Sequence, residues 1–221
     1  MNKAIRQVSK TMPNNQLALM LDTPGTYFNA GHYQYPANDG ERIGNHLDCV
    51  FLLDPISASE NFVEQIVDDI CLWLKAENIE FDLIFYPASP SVKPIVESLA
   101  KRTGSRLAGY EYLNSGWFGN KLVEGEVKPG DRVLVFNGVT QQGRCVGARL
   151  PQLAQELGGQ VVAAAVFAKG TAAGVTQAEE KYGTKFYATI QVPISVNSPQ
   201  ECPVCKLDPA KTLTPWNLLS K

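Results

Sequence analysis

Two short runs in the middle of the chain, Val133–Phe136 and Val161–Phe167, contain only apolar residues. They are too short for buried helices and carry no polar side for solvent. A strand of that kind must be covered on both faces, which is the condition of a strand inside a parallel sheet. Mostly apolar segments of similar length, Leu47–Leu53, Phe81–Tyr86, Leu107–Leu113 and Lys185–Val192, read as further strands. Between them lie stretches with helical periodicity. One opens at Ser57-x-x-Glu60, the pattern of a capping box, and runs to about Ala76. Another, Ser91–Arg102, puts Val92, Ile95, Val96 and Leu99 on one face. Helices are also expected over Gly143–Leu157, bent or restarted at Pro151, and over Val175–Tyr182. Strands alternating with helices in this way predict an α/β fold built on a parallel sheet with helices on both faces. Such sheets bind ligands in the loops beyond the carboxyl ends of their strands. The loops so selected are Pro87–Lys93, Asn137–Arg144 and Ala168–Gly174.

Outside this core the pattern changes. Residues 1–46 hold a polar start, a short helix over Gln16–Asp22 ended by Pro24-Gly25, and an aromatic, Gly- and Asn-rich stretch at Tyr27–Gly44 that reads as a small hood. Asn114–Lys128 reads as a mobile loop or hairpin. Residues 193–221 are proline-rich and read as an irregular tail, leaving 47–192 as the α/β core. A formal charge of −2 without runs of Lys or Arg argues against nucleic acid or an anionic membrane as partner. No stretch approaches the ~20 apolar residues that span a bilayer, and Met1–Lys10 lacks an apolar signal region, so a cytoplasmic protein is expected. Cys49, Cys71 and Cys145 sit in apolar surroundings and read as reduced core residues.

The segment Gly130-Asp131-Arg132-Val133-Leu134-Val135-Phe136-Asn137-Gly138-Val139-Thr140-Gln141-Gln142-Gly143-Arg144 has a particular order: turn, apolar strand, polar Gly-containing loop, helix. It resembles the phosphoribosyl-pyrophosphate signature of the type I phosphoribosyltransferases. There, two acidic residues follow the strand and hold the ribose hydroxyls, and a Thr- and Gly-rich loop cradles the 5′-phosphate. The physical reason for the cradle is general, because backbone N–H groups at a helix start point outward and the helix dipole adds partial positive charge. Gln16–Tyr35, with Phe28-Asn29-Ala30-Gly31, is similar to the N-terminal part of the orotate branch, and the likeness covers roughly residues 16 to 190.

The resemblance implies a phosphoribosyltransferase-like fold with a small hood, a phosphoribosyl pyrophosphate or nucleoside monophosphate ligand, Mg2+ on the pyrophosphate, and a homodimer. It places Thr140, Gln141, Gln142, Gly143 and Arg144 on the 5′-phosphate, and Asn137 on the ribose. It places Ala88, Ser89, Pro90, Ser91 and Lys93, with Lys121, on the pyrophosphate, and Phe28 and Lys169 on the base. The chain also departs from the pattern. Asn137-Gly138 stands where the acidic pair belongs, Gln141-Gln142-Gly143 replaces a Thr-Thr-Gly run, and the mobile loop has Lys121 as its lone lysine before Lys128. A hydrogen bond to a charged group contributes roughly 1.5–3 kcal/mol against about 1 for a neutral one, so the grip on the ribose should be weaker. These departures keep open a non-catalytic descendant that senses a nucleotide or serves in an assembly.

Plainer readings stand beside several of these residues. Ser89-Pro90-Ser91 has the composition of a helix cap, and Tyr27, Phe28, Tyr33 and Tyr35 that of hood packing. The two histidines, His32 and His46, have no nucleophile elbow to serve. Cys202-Pro-Val-Cys205 has the spacing of a zinc knuckle. A structural zinc needs about four ligands, which His32, His46, Cys49 or a second subunit would have to complete. The other reading of the pair is a reduced turn in the tail.

Overall fold

The structure, a computed structural model, describes residues 5–29, 31–35, 44–113, 117–215 and 218–219. The chain opens with strand β1 (Arg6–Gln7) and helix α1 (Asn14–Leu21). Four two-residue strands follow: β2 (Tyr27–Phe28), β3 (Tyr33–Gln34), β4 (His46–Leu47) and β5 (Val50–Phe51). Next come α2 (Asp54–Ser57), α3 (Glu60–Ala76), β6 (Leu83–Pro87), α4 (Lys93–Thr103), β7 (Arg106–Leu113) and β8 (Trp117–Gly125). Then β9 (Arg132–Thr140) leads through one π-helical turn (Cys145–Arg149) into α5 (Leu150–Glu156). The chain continues with β10 (Gln160–Lys169), α6 (Ala173–Tyr182) and β11 (Phe186–Gln191). The tail is irregular apart from β12 (Val196–Asn197), α7 (Pro203–Leu207) and β13 (Thr214–Pro215).

The main sheet has seven strands in the order β1-β11-β10-β9-β6-β7-β8. The five from β11 to β7 are parallel, and the outer pairings β1–β11 and β7–β8 are antiparallel. Alternate residues of each strand serve opposite faces. Ile84, Tyr86, Leu134, Phe136, Ala165 and Phe167 pack with α3, α4 and the hood. Leu83, Phe85, Val133, Val135, Ala164 and Val166 pack with Val146, Leu150, Leu153 and Ala154 on the other side. That two-sided burial accounts for the uninterrupted apolar runs of β9 and β10.

Several boundaries differ from the sequence reading for local reasons. Leu47–Leu53 is not one strand but β4 and β5, separated at Asp48-Cys49. The cap of α3 is Ser59, which accepts from the Phe62 N–H, while the Ser57 hydroxyl donates to the Asp54 carbonyl and closes α2. Of the bend or restart expected at Pro151, the structure shows the restart: the π turn ends at Arg149 and Pro151 falls at the start of α5, where its missing N–H costs nothing.

Asp69 on α3 ties down the start of the chain. Its buried carboxylate accepts from the Ser9 and Thr11 hydroxyls, and from Tyr187 (2.6 Å) and Thr189 (2.9 Å) of β11. Hydrogen bonds to a buried charge are the strong kind, and four of them offset its desolvation. Among the described residues, no helix is long and apolar enough to cross a membrane.

Candidate ligand site at the sheet switch point

Sequence order along the sheet reverses between β6 and β9. From β6 the chain proceeds outward to β7, and from β9 it proceeds the other way through β10 to β11. The crossover helices leave in opposite directions at such a point and open a crevice beyond the strand ends. Two of the sequence-selected loops flank this crevice, 88–92 after β6 and 141–144 after β9, and the third, 170–172, follows the neighbouring β10.

The loop after β9 is shaped by backbone contact. Thr140 is buried, and its hydroxyl accepts from the Gly143 N–H at 3.1 Å. Gly143 has φ +76°, a conformation that L side chains rarely adopt. A Cβ on Gly143 would lie 2.1 Å from the Gly174 carbonyl oxygen; one on Gly174 would lie 2.0 Å from the Gln142 oxygen, and one on Gly170 2.1 Å from the Gln141 oxygen. The two loops therefore interlock through three glycines. Sequence reading singled out Gly143, but Gly170 and Gly174 carry the other half of the contact. Thr140 lies beneath the loop as its inner brace, while Gln141, Gln142 and Arg144 lie nearer the surface.

Near the end of β9, Asn137 is buried and its amide donates to Cys145 Sγ at 3.0 Å. Burial pushes the Cys145 thiol up to about 12, against the pull of that hydrogen bond, so at neutral pH it stays a thiol. Gly138 has a neighbour that sequence alone does not show. A Cβ there would come within 2.2 Å of Leu53 Cδ2 and 3.5 Å of Val92 Cγ2. Leu53 thus fills the space that a second acidic side chain would need.

The loop after β6 is largely self-bonded. Ala88 N–H donates to the Tyr110 carbonyl at 2.8 Å and Ser89 N–H to the Pro87 carbonyl at 2.7 Å. The Ser89 and Ser91 hydroxyls share a 2.9 Å hydrogen bond, and the Ser89 carbonyl receives the Val92 and Lys93 N–H groups that open α4. Pro90 forms the exposed turn between them. Lys93 pairs with Glu124 of β8 at 2.9 Å, and the same carboxylate oxygen accepts from the buried Tyr86 hydroxyl at 2.6 Å. Tyr86 and Lys93 together hold the Glu124 carboxyl below the usual carboxylate range. This carboxylate was not anticipated; it lies in the segment expected to be a mobile loop or hairpin, of which residues 117–125 form a strand antiparallel to β7, in line with the second alternative. Lys121 is exposed on that strand, 3.9 Å from Glu111, and residues 114–116 lie outside the described residues.

Lys169 ends β10, is buried, and forms an ion pair with Glu179 of α6. Burial and the charge of Arg6 pull its ammonium down. Phe28 belongs to β2, paired with β5, and packs half-buried against the main core. Ala30, two residues on, lies outside the described residues. Cys202 and Cys205 belong to neither crevice wall; they stand together with His32 and His46 in the hood and tail.

Comparison with known proteins gives a consistent picture. No family model matches the chain. It is similar to orotate phosphoribosyltransferase of Carboxydothermus hydrogenoformans, 24% identical over 180 residues, 79% of this chain and 84% of that protein. Orotate phosphoribosyltransferase of Pyrococcus abyssi is 33% identical over 114 residues, 52% of this chain and 61% of that protein. Among solved structures, orotate phosphoribosyltransferase from Aeropyrum pernix superposes with a TM-score of 0.56 at 19% identity, covering 80% of this chain and 92% of that one. Adenine phosphoribosyltransferase from Rhodothermus marinus gives 0.54 at 15% identity, covering 80% and 99%. The chain thus has the type I phosphoribosyltransferase fold and, in sequence, is similar to the orotate phosphoribosyltransferases.

Proposed function

We propose that this protein binds phosphoribosyl pyrophosphate or a nucleoside monophosphate in the crevice between β6 and β9, and transfers the phosphoribosyl group to a nitrogenous base. The observation that carries this reading is the glycine-interlocked loop at the end of β9, which leads straight into a helix at the switch point of the sheet. Residues 140–144 hold the 5′-phosphate through backbone N–H groups, with Arg144 adding charge. Asn137 faces the ribose. Residues 88–93 and Lys121 take the pyrophosphate, for which Lys93 must exchange Glu124, and Lys121 Glu111, for the ligand. Lys169 and Phe28 stand on the base side. Mg2+ prefers oxygen donors and usually keeps one or two carboxylates beside phosphate groups. With no carboxylate at 137 or 138, the ion would arrive on the pyrophosphate instead of being held by this strand. The resemblance extends the reading to a cytoplasmic homodimer.

One observation favours a second reading, a nucleotide sensor without turnover. Leu53 closes the space beside Gly138, so the strand end offers the ribose an amide and no charge. Calorimetric titration of phosphoribosyl pyrophosphate, with and without Mg2+, and of uridine monophosphate tests both. Lys93→Ala should weaken the pyrophosphate-bearing ligand and leave the monophosphate unchanged. Pyrophosphate release with orotate or another base supports the enzyme, and saturable binding without release supports the sensor. Failure of both ligands to bind at millimolar concentration overturns both readings.

A further inference from the structure

The hood and the tail meet in a second, four-stranded sheet with the order β12-β4-β3-β13. Two hood strands lie inside and one tail strand lies on each edge. Each of these strands is two residues long, too short to hold a sheet together by pairing alone. Four side chains converge beside it. His32 precedes β3, His46 opens β4, Cys202 caps α7 and Cys205 lies within that helix.

We propose that His32 Nε2, His46 Nδ1, Cys202 Sγ and Cys205 Sγ bind one zinc ion that clasps the hood to the tail. The four donor atoms all lie within 4.8 Å of one another. His32 Nε2 is 2.9 Å from His46 Nδ1, 3.3 Å from Cys205 Sγ and 3.7 Å from Cys202 Sγ. Cys205 Sγ is 3.2 Å from His46 Nδ1. A tetrahedron built on Zn–N and Zn–S bonds of about 2.0–2.3 Å has edges of about 3.3–3.8 Å. The observed spacings bracket that range, so an ion fits with small adjustments of four rotamers.

Three further observations fit a metal. The other nitrogen of His32, Nδ1, lies 3.1 Å from the Lys211 carbonyl, an acceptor only. That contact places the ring proton on Nδ1 and leaves the Nε2 lone pair facing the cluster, as the outer partners of metal-bound histidines do. Both thiols are free rather than joined in a disulfide, and Cys202, His32 and His46 are buried. Two thiolates with two imidazoles suit zinc among common divalent ions. Cys49, the remaining candidate ligand, is excluded by its position, since its thiol donates to the Pro193 carbonyl at 3.2 Å. All four coordination positions come from this one chain, which makes the site structural, with no place for a substrate or water.

The test is metal analysis of untagged protein purified without chelator. The expected result is about one zinc per chain, and after exchange a cobalt spectrum with the intense visible bands of a tetrahedral site plus thiolate charge transfer. Both readouts use the unaltered chain and do not depend on ligand binding in the crevice. Cys205→Ser and His46→Ala should each lower zinc occupancy well below one; if a variant fails to fold, the wild-type metal content and cobalt spectrum still decide. Metal-free protein with both thiols reactive, a Cys202–Cys205 disulfide by mass, or an octahedral cobalt spectrum overturns the proposal.

Discussion

The α/β core and the hood–tail sheet are held together by different means. In the core, β9 and β10 run for nine and ten residues, and their central side chains are almost wholly covered on both faces. In the hood–tail sheet each strand is two residues long, and two imidazoles and two thiols gather beside it. The difference is one of size. Surface burial rises with the amount of chain, so a large element stabilises itself by packing, while a small one needs a covalent or metal tie.

The comparison can be broken or sharpened in order of effect. Phe136→Ala, in the middle of β9 and fully buried, should cost about 3–5 kcal/mol of global stability in urea denaturation. A loss under about 1 kcal/mol would mean that the core does not carry the fold. Cys205→Ser should act locally. Amide exchange should accelerate at β3, β4 and β12 while β9 and β10 stay protected; uniform acceleration would show that module and core unfold as one unit.

Within the crevice, Gly138→Asp should destabilise the protein by about 1–3 kcal/mol through overpacking against Leu53. Leu53→Ala should relieve part of that cost, with a coupling of about 0.5–3 kcal/mol in a double-mutant cycle. Additive losses would remove Leu53 from its assigned place.

The smallest effect belongs to the amino end of the sheet. There the Arg132 side chain and backbone N–H hydrogen-bond Asp82 and hold its carboxyl at about 2, below its ordinary 3.8. A depressed folded value means stability that is present above about pH 4 and is lost as pH falls toward 2. Asp82→Asn should remove that contribution, so stability falls slightly at neutral pH and the profile flattens below about pH 4; the loss is small because the pair is exposed.

How legible these features were in the sequence follows from the range of the forces involved. The apolar runs at 133–136 and 161–167 and the periodicity of 91–102 reflect local demands, and they located β9, β10 and α4 to within a few residues. β9 continues to Thr140 because its polar end pairs with Lys169 of β10, a partner that no local pattern reveals. β8 carries Lys121 and Glu124 and lies at the edge of the sheet, where one face and one side are wet; its composition resembles a loop. Leu53 against Gly138 is a contact between distant segments, and a glycine in the sequence does not say what fills its space. The Cys202-x-x-Cys205 spacing marked half of the cluster, and His32 and His46 were two candidates among several for the rest; only folding brings these four together.

The tie between the two ends of the chain has a kinetic consequence. Cys205 meets His46 across 159 positions, and β1 pairs with β11, so both closures wait until nearly all the described chain has been synthesised. Until then the hood is made without its partner strands and β11 is absent from the sheet edge. Contacts of such separation form late and slowly. A ribosome stalled before residue 202 should therefore carry a chain whose hood remains open to protease, however well its central strands have already paired.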